Sequence, residues 1–85
     1  MRRAYVGNIP FATTADELRV WFQPYGIASV EIIKDKHTGR SRGFAFVEFT
    51  TAEDFEAALK SHNGREIDGW RVVVNDATEK RGGGR

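Results

Sequence analysis

The spacing of apolar positions along the chain switches repeatedly between the two-residue period of a strand and the wider period of a helix. RAYVGN, residues 3–8, reads as a short strand closed by Gly7, Asn8 and Pro10. Thr14 and Glu17 carry the spacing of a capping box, in which each side chain accepts from the other residue's backbone N–H. Leu18, Trp21, Phe22 and Tyr25 then follow at helical spacing, and Gly26 is the expected stop. SVEIIK (29–34) predicts a second strand. The turn-rich DKHTGRS (35–41) leads into a third, RGFAFVEF (42–49). Thr51 and Asp54 mark a second helix start; Phe55, Ala58, Leu59 and His62 form its inward stripe, and His62-Asn63-Gly64 breaks it. Ile67 to Trp70 predicts a bend or short hairpin, and RVVVND (71–76) the fourth strand. ATEKRGGGR has no periodicity. A folded domain is therefore expected over 1–77, followed by a flexible Gly/Arg tail over 78–85.

The order β-α-β-β-α-β is the split βαβ arrangement of an α+β, ferredoxin-like sandwich. Crossovers between parallel strands are right-handed, so two interlocked crossovers put both helices on one side of one antiparallel sheet. The expected strand order is 4-1-3-2, with strands one and three at the centre and the other sheet face open. The third strand bears directly on that open face. A half-buried strand alternates apolar with polar residues, yet here Phe44 and Phe46 share one side while Ala45, Val47 and Phe49 share the other. Strand one decides which side is open. Ala4 and Val6 suit a core, whereas Arg3, Tyr5 and Gly7 lie opposite; Glu48 shares the side of Phe44 and Phe46. On the fourth strand, Val72 and Val74 are expected inward, and Arg71, Val73 and Asn75 outward. The open face is thus expected to carry Tyr5, Phe44 and Phe46, surrounded by Arg3, Arg71, Asn75, Glu31 and Glu48.

Composition narrows the chemistry. The chain has 85 residues, 40% hydrophobic and 29% charged, consistent with one domain. It has no cysteine, which excludes disulfide scaffolds and thiol catalysis. No apolar run is long enough for a membrane span or a signal peptide, and an intracellular protein is expected, cytoplasmic, or nuclear in a eukaryote. His37 and His62 stand far apart with no ligand cluster, so no metal and no cofactor is expected. A net charge of +1 says little about partners. Its distribution says more: Lys34, Lys36, Arg40 and Arg42 gather around one loop, against Asp35.

Aromatic rings interleaved with arginine suit unpaired nucleic-acid bases, because every base offers a π-face and arginine reaches phosphate. RGFAFVEF fits the longer sequence motif of the RNA-recognition motif family at every specified position, and AYVGNI (4–9) resembles the shorter one. The resemblance spans roughly residues 3–77 and extends to small, single-domain, glycine-tailed RNA-binding proteins. It implies that Tyr5 and Phe46 stack on bases and that Phe44 packs on sugars. It also implies that Arg42 meets phosphate and that Asn75 with Asp76 reads bases through side chain or backbone. Arg3, Arg40 and Arg71 complete the expected RNA-binding set. Two positions depart from the family's usual pattern: Ala4 where leucine or isoleucine is common, and His62 where leucine or methionine is.

The expected function is therefore binding of single-stranded RNA by a monomer, without catalysis and without a membrane partner. Single-stranded DNA is the alternative nucleic acid, and a protein-interaction module on the same fold is the alternative function. An acyl-phosphate hydrolase of this architecture would need a phosphate-cradling loop and an arginine after strand one, and GNIPFATT (7–14) has neither. GREIDGW (64–70) has P-loop glycine spacing, but Trp70 and Arg71 stand where lysine and serine or threonine are required.

Overall fold

The computed structural model describes residues 2–77. Its elements are β1 (Arg2–Gly7), α1 (Ala15–Trp21), β2 (Ile27–Lys34), β3 (Ser41–Phe49), α2 (Ala52–His62), β4 (Glu66–Ile67), β5 (Trp70–Arg71) and β6 (Val73–Asp76). The main sheet has the order β2-β3-β1-β6. With β6 as its fourth strand, this is the expected order read from the other edge. Every pairing in the sheet is antiparallel. The tail expected over 78–85 lies outside the described residues.

Local chemistry starts both helices. The Thr14 side chain accepts from the Glu17 N–H at 3.1 Å, and the Thr14 N–H donates to Glu17 Oε1 at 2.9 Å, closing the capping box. At α2, Thr51 accepts from the Asp54 N–H at 3.1 Å. Asp54 does not reciprocate; its Oδ2 accepts from the Gly26 N–H at 2.8 Å and ties the start of α2 to the start of β2. α1 is shorter than its apolar spacing predicts, capping at Phe22 rather than running to Gly26. Pro24 accounts for this, since the residue before a proline is driven out of helical geometry. Tyr25 reaches the core from the following loop, edge-on to His62 at 5.7 Å.

The expected fourth strand is divided. Asp68 (φ 51°) and Gly69 (φ 84°) form a two-residue turn with both φ angles positive, as a type I′ hairpin requires, and pair Ile67 with Trp70 and Glu66 with Arg71. The Val72 N–H donates to the Arg65 carbonyl and its own carbonyl accepts from Gly64, both at 2.8 Å. Only from Val73 does the chain join the sheet.

The core lies between the sheet and the two helices. Val6, Ala45, Val47, Phe49, Val72 and Val74 point into it, together with Leu18, Phe22, Phe55 and Ala58 from the helices. Phe49 sits between Phe22 (5.4 Å) and Phe55 (6.1 Å), both edge-on. Ala4 is fully buried despite its small size. Trp21 packs on this core, whereas Trp70 turns away from it toward Phe11.

His62 closes the end of the core. Trp21, Phe22 and Tyr25 surround its ring. Nε2 lies 2.8 Å from the Trp21 carbonyl and Nδ1 lies 2.7 Å from Ser61 Oγ. A carbonyl can only accept, so in the neutral ring Nε2 carries the proton. Burial holds the imidazole below its ordinary value; the Trp21 carbonyl opposes that shift and Arg65 adds to it.

Candidate nucleic-acid interface

Cross-strand partners share a face, so register alone assembles the open side of the sheet. Tyr5 stands opposite both Phe46 and Asn75, Glu31 opposite Phe46, and Glu48 opposite both Arg3 and Ser29. The three rings are contiguous: Tyr5 lies 5.6 Å from Phe44 and 6.0 Å from Phe46, and Phe44 lies 6.0 Å from Phe46. All three are half-buried, while Ala45, Val47 and Phe49 on the other side of β3 are fully buried. Gly7 makes room for the first ring. A Cβ there would overlap Tyr5 Oη, Cε2 and Cζ, so the phenol lies along the strand only because this position has no side chain.

Polar groups frame Phe46. The Arg3 guanidinium carbon sits 4.3 Å above its ring centroid, and Arg3 Nη2 lies 3.7 Å from Glu31 Oε1. Glu48 Oε1 accepts from Ser29 Oγ at 3.1 Å. A cation over a ring is held by the ring's negative face, and a planar guanidinium occupies the kind of position a stacked base would take.

The basic loop is built on Asp35. Its Oδ1 accepts from His37 N–H (2.7 Å) and Thr38 N–H (3.1 Å), its carbonyl accepts from Gly39 N–H (2.8 Å), and its N–H donates to the Arg40 carbonyl (2.8 Å). The Thr38 and His37 N–H groups, with a smaller contribution from Arg42, hold the carboxyl below the usual aspartate value against the opposing effect of desolvation. Arg40 and Arg42 are exposed, and neither guanidinium has an ion pair among the described residues.

Gly43 follows Arg42 with φ 87°, inside a break in register between Ile32↔Ala45 and Lys34↔Ser41. This is the geometry of a bulge, in which a glycine takes the left-handed conformation. The Gly43 carbonyl accepts from Ile9 N–H at 3.0 Å and anchors the loop after β1 to the start of β3.

One expected residue sits differently from the sequence expectation. Arg71 is exposed, but it belongs to the β4–β5 hairpin at the rim, not to the sheet face. The hairpin turn captures it, and its carbonyl accepts from Asn8 Nδ2 at 2.7 Å. Asp76 pairs with the core residue Ala4 while Asn75 pairs with Tyr5, so by alternation only Asn75 directs its side chain to the open face. Phe11 is an exposed aromatic that the sequence pattern does not mark. It is 62% exposed on the β1–α1 loop, edge-on to Trp70 at 5.7 Å. Loop residues carry no periodicity, and a lone aromatic within GNIPFATT shows no face to read; its only signal is a phenylalanine where no helix or strand needs one.

Among the described residues there is no group of three or more His, Asp or Glu side chains able to hold a metal, and no helix long and apolar enough to cross a membrane.

The family model described as RNA recognition motif matches residues 4–73. The chain is 43% identical over 83 residues to Glycine-rich RNA-binding protein 1 of Mycosarcoma maydis, covering 96% of this chain and 47% of that protein. It is 44% identical over 80 residues to a chloroplastic organelle RRM domain-containing protein of Oryza sativa subsp. japonica, covering 93% and 20% respectively. It thus spans less than half the length of either relative. Among solved structures, the crystal structure of RNA Binding Protein PG1 superposes with a TM-score of 0.87 at 34% identity, over 94% of this chain and 98% of that one.

Proposed function

The chain belongs to the RNA recognition motif family, and on that premise we propose that it binds single-stranded RNA across the open face of its sheet, as a monomeric intracellular module without catalytic activity. One observation carries the reading: Tyr5, Phe44 and Phe46 form a contiguous ring platform on the face opposite the helices. Folding supplies no reason for three such rings outside the core. Stacking does, at about 1–3 kcal/mol per base. In this reading Tyr5 and Phe46 carry bases and Phe44 lies against the sugars between them. Arg3, Arg40, Arg42 and Arg71 meet phosphate or a base plane, and Asn75, with the backbone at Asp76, reads a base edge. The platform takes unpaired bases, because a duplex hides their faces. A protein-interaction role for this face is not favoured, since among the described residues no helix or strand lies over the three half-buried rings.

A few stacks and about two to four phosphate contacts correspond to micromolar affinity, about −8 kcal/mol, and to a slope of log K against log salt near −1.5 to −3. The test is a titration of wild type and Phe46→Ala with a pool of short RNAs and with DNA of matching sequence. A loss of about ten-fold or more in the variant is expected; equal binding by both proteins overturns the reading.

A further inference from the structure

Resting on that reading, we propose that Glu31 makes the Phe46 position of the platform selective: it takes a base with an exocyclic amine, as cytosine, adenine and guanine have, and disfavours uracil. The free protein already shows the arrangement with a substitute. The Arg3 guanidinium, a flat cation edged with N–H donors, lies 4.3 Å above the Phe46 ring centroid, and its Nη2 lies 3.7 Å from Glu31 Oε1. A stacked base is also flat, and an amine on its rim is also an N–H donor. A base that takes the place of the guanidinium over Phe46 therefore brings that amine to the same carboxylate. The two side chains of the Arg3–Glu31 pair are 43% and 68% exposed. An ion pair so open to water is weak, so the guanidinium gives up its place and turns to phosphate.

The surroundings fix the sign of the preference. Phe46 shares a cavity of about 270 Å³ with Arg3, Ser29, Glu31 and Glu48. Register places Glu31 directly opposite Phe46, and Glu48 opposite both Arg3 and Ser29. Two carboxylates thus stand against one cation. Glu48 holds no ion pair among the described residues; its Oε1 accepts from Ser29 Oγ at 3.1 Å. Ionised carboxylates only accept hydrogen bonds. Once a base displaces Arg3, Glu31 has lost its cation, and a donor on the base replaces it. Cytosine, adenine and guanine each present an amine. Uracil presents two carbonyl oxygens with a single N–H between them, so its edge meets the carboxylate with like partial charge. The same negative excess turns phosphate away from this cavity and toward the basic loop, where Arg40 and Arg42 hold no ion pair among the described residues.

The experiment measures affinity for octamers of cytidine and of uridine, which share a ring size and differ at the base edge. The proteins are wild type, Glu31→Gln, Arg3→Ala and Phe46→Ala. Wild type is expected to bind the cytidine octamer about ten-fold more tightly, as one hydrogen bond to a charged group supplies. Glu31→Gln, whose amide both donates and accepts, should bring the two within about two-fold, chiefly by a gain on uridine. Arg3→Ala should keep the preference for cytidine, whatever it does to overall affinity. Equal binding of the two octamers by wild type overturns the proposal, and so does an unchanged ratio in Glu31→Gln. An equal change on both octamers in Glu31→Gln also overturns it, because the carboxylate would then act only by positioning Arg3. Loss of the preference in Arg3→Ala overturns it too and transfers the selectivity to Arg3. If Phe46→Ala binds both octamers as wild type does, the platform reading itself fails. If Phe46→Ala weakens both while Glu31→Gln keeps the wild-type ratio, only the selectivity fails, and the two failures are distinguished.

Discussion

Alanine at Gly43 tests the link between backbone geometry and the binding surface. At φ 87°, an L-residue incurs the left-handed penalty of about 1–2 kcal/mol, and the stiffer unfolded chain of alanine returns about 0.4–1 kcal/mol of it. The net cost is about 1 kcal/mol. The new Cβ also meets Phe11 Cε1 at 3.2 Å, and the ring must move by a few tenths of an ångström against Trp70. Disturbing an edge-on aromatic pair adds up to about 1 kcal/mol. Gly39 is the internal control: its φ is 73°, but a Cβ there meets nothing within 4 Å. Gly39→Ala should therefore cost about 1 kcal/mol and Gly43→Ala about 1.5–2, or roughly 4–8 °C and 6–16 °C in melting temperature for a domain of this size. Thermal melts followed by circular dichroism give both numbers. A Gly43→Ala protein melting within about 1 °C of wild type refutes the bulge geometry. Equal losses in the two variants refute the seating of Phe11 on Gly43.

His62 makes stability depend on pH. Its folded value lies below the ordinary histidine value, so in the window between the two the unfolded chain binds more protons. Its contribution is complete above about pH 6.5 and declines as pH falls below that; wild type should melt lower at pH 5.5 than at 7.5, and His62→Leu should lose most of that difference. Identical slopes would remove His62 as the cause. Asp35 acts in the acid range. Its folded value is depressed, so the loop is held above the ordinary aspartate value near 3.9 and released as pH falls through the lower folded one. Amide exchange checks this: Asp35→Ala should expose the His37 and Thr38 amides at neutral pH while the β1 amides stay protected, and unchanged protection would contradict the bonding described. Gly7→Ala should displace the Tyr5 ring and weaken RNA binding several-fold with little change in melting temperature; unaltered affinity would show that the ring's position along the strand is unimportant.

Much of this molecule is legible in its sequence because the deciding interactions are local. The Thr14–Glu17 box and the Thr51 cap act within one turn of chain. The alternation of Arg3, Tyr5 and Gly7 against Ala4 and Val6 is a property of the strand itself, as is that of Phe44 and Phe46 against Ala45 and Val47. Where a distant partner decides, the sequence is silent. Val72 leaves the strand pattern because its hydrogen bonds go to Arg65 and Gly64, which moves Arg71 to the rim. Trp70 can face core or solvent until Phe11 arrives from the β1–α1 loop. Gly43 could be an ordinary strand residue until the register break between Ile32 and Lys34 shows that it is not. Pro24 is the exception: a local signal that ends α1 at Phe22, against the helical spacing that continues to Tyr25.

The weak net charge ceases to argue against a nucleic-acid partner once the charges are placed. Gly7 pairs with Phe44, and Gly43 precedes it, so the two glycines that support aromatic rings meet where β1 ends and β3 begins. Lys34 ends β2 at that same end of the sheet, and Arg40 and Arg42 flank the start of β3. Further along the face Arg3 pairs with Glu31, and the Glu48 carboxylate accepts a hydrogen bond from Ser29. A net charge of +1 thus conceals a local excess of cations around the loop before β3, offset elsewhere by carboxylates such as Glu53 and Asp54 at the start of α2. Screening confines each charge's influence to about 10 Å. A phosphate approaching the Phe11 end therefore meets the local cations of the basic loop rather than the molecular total.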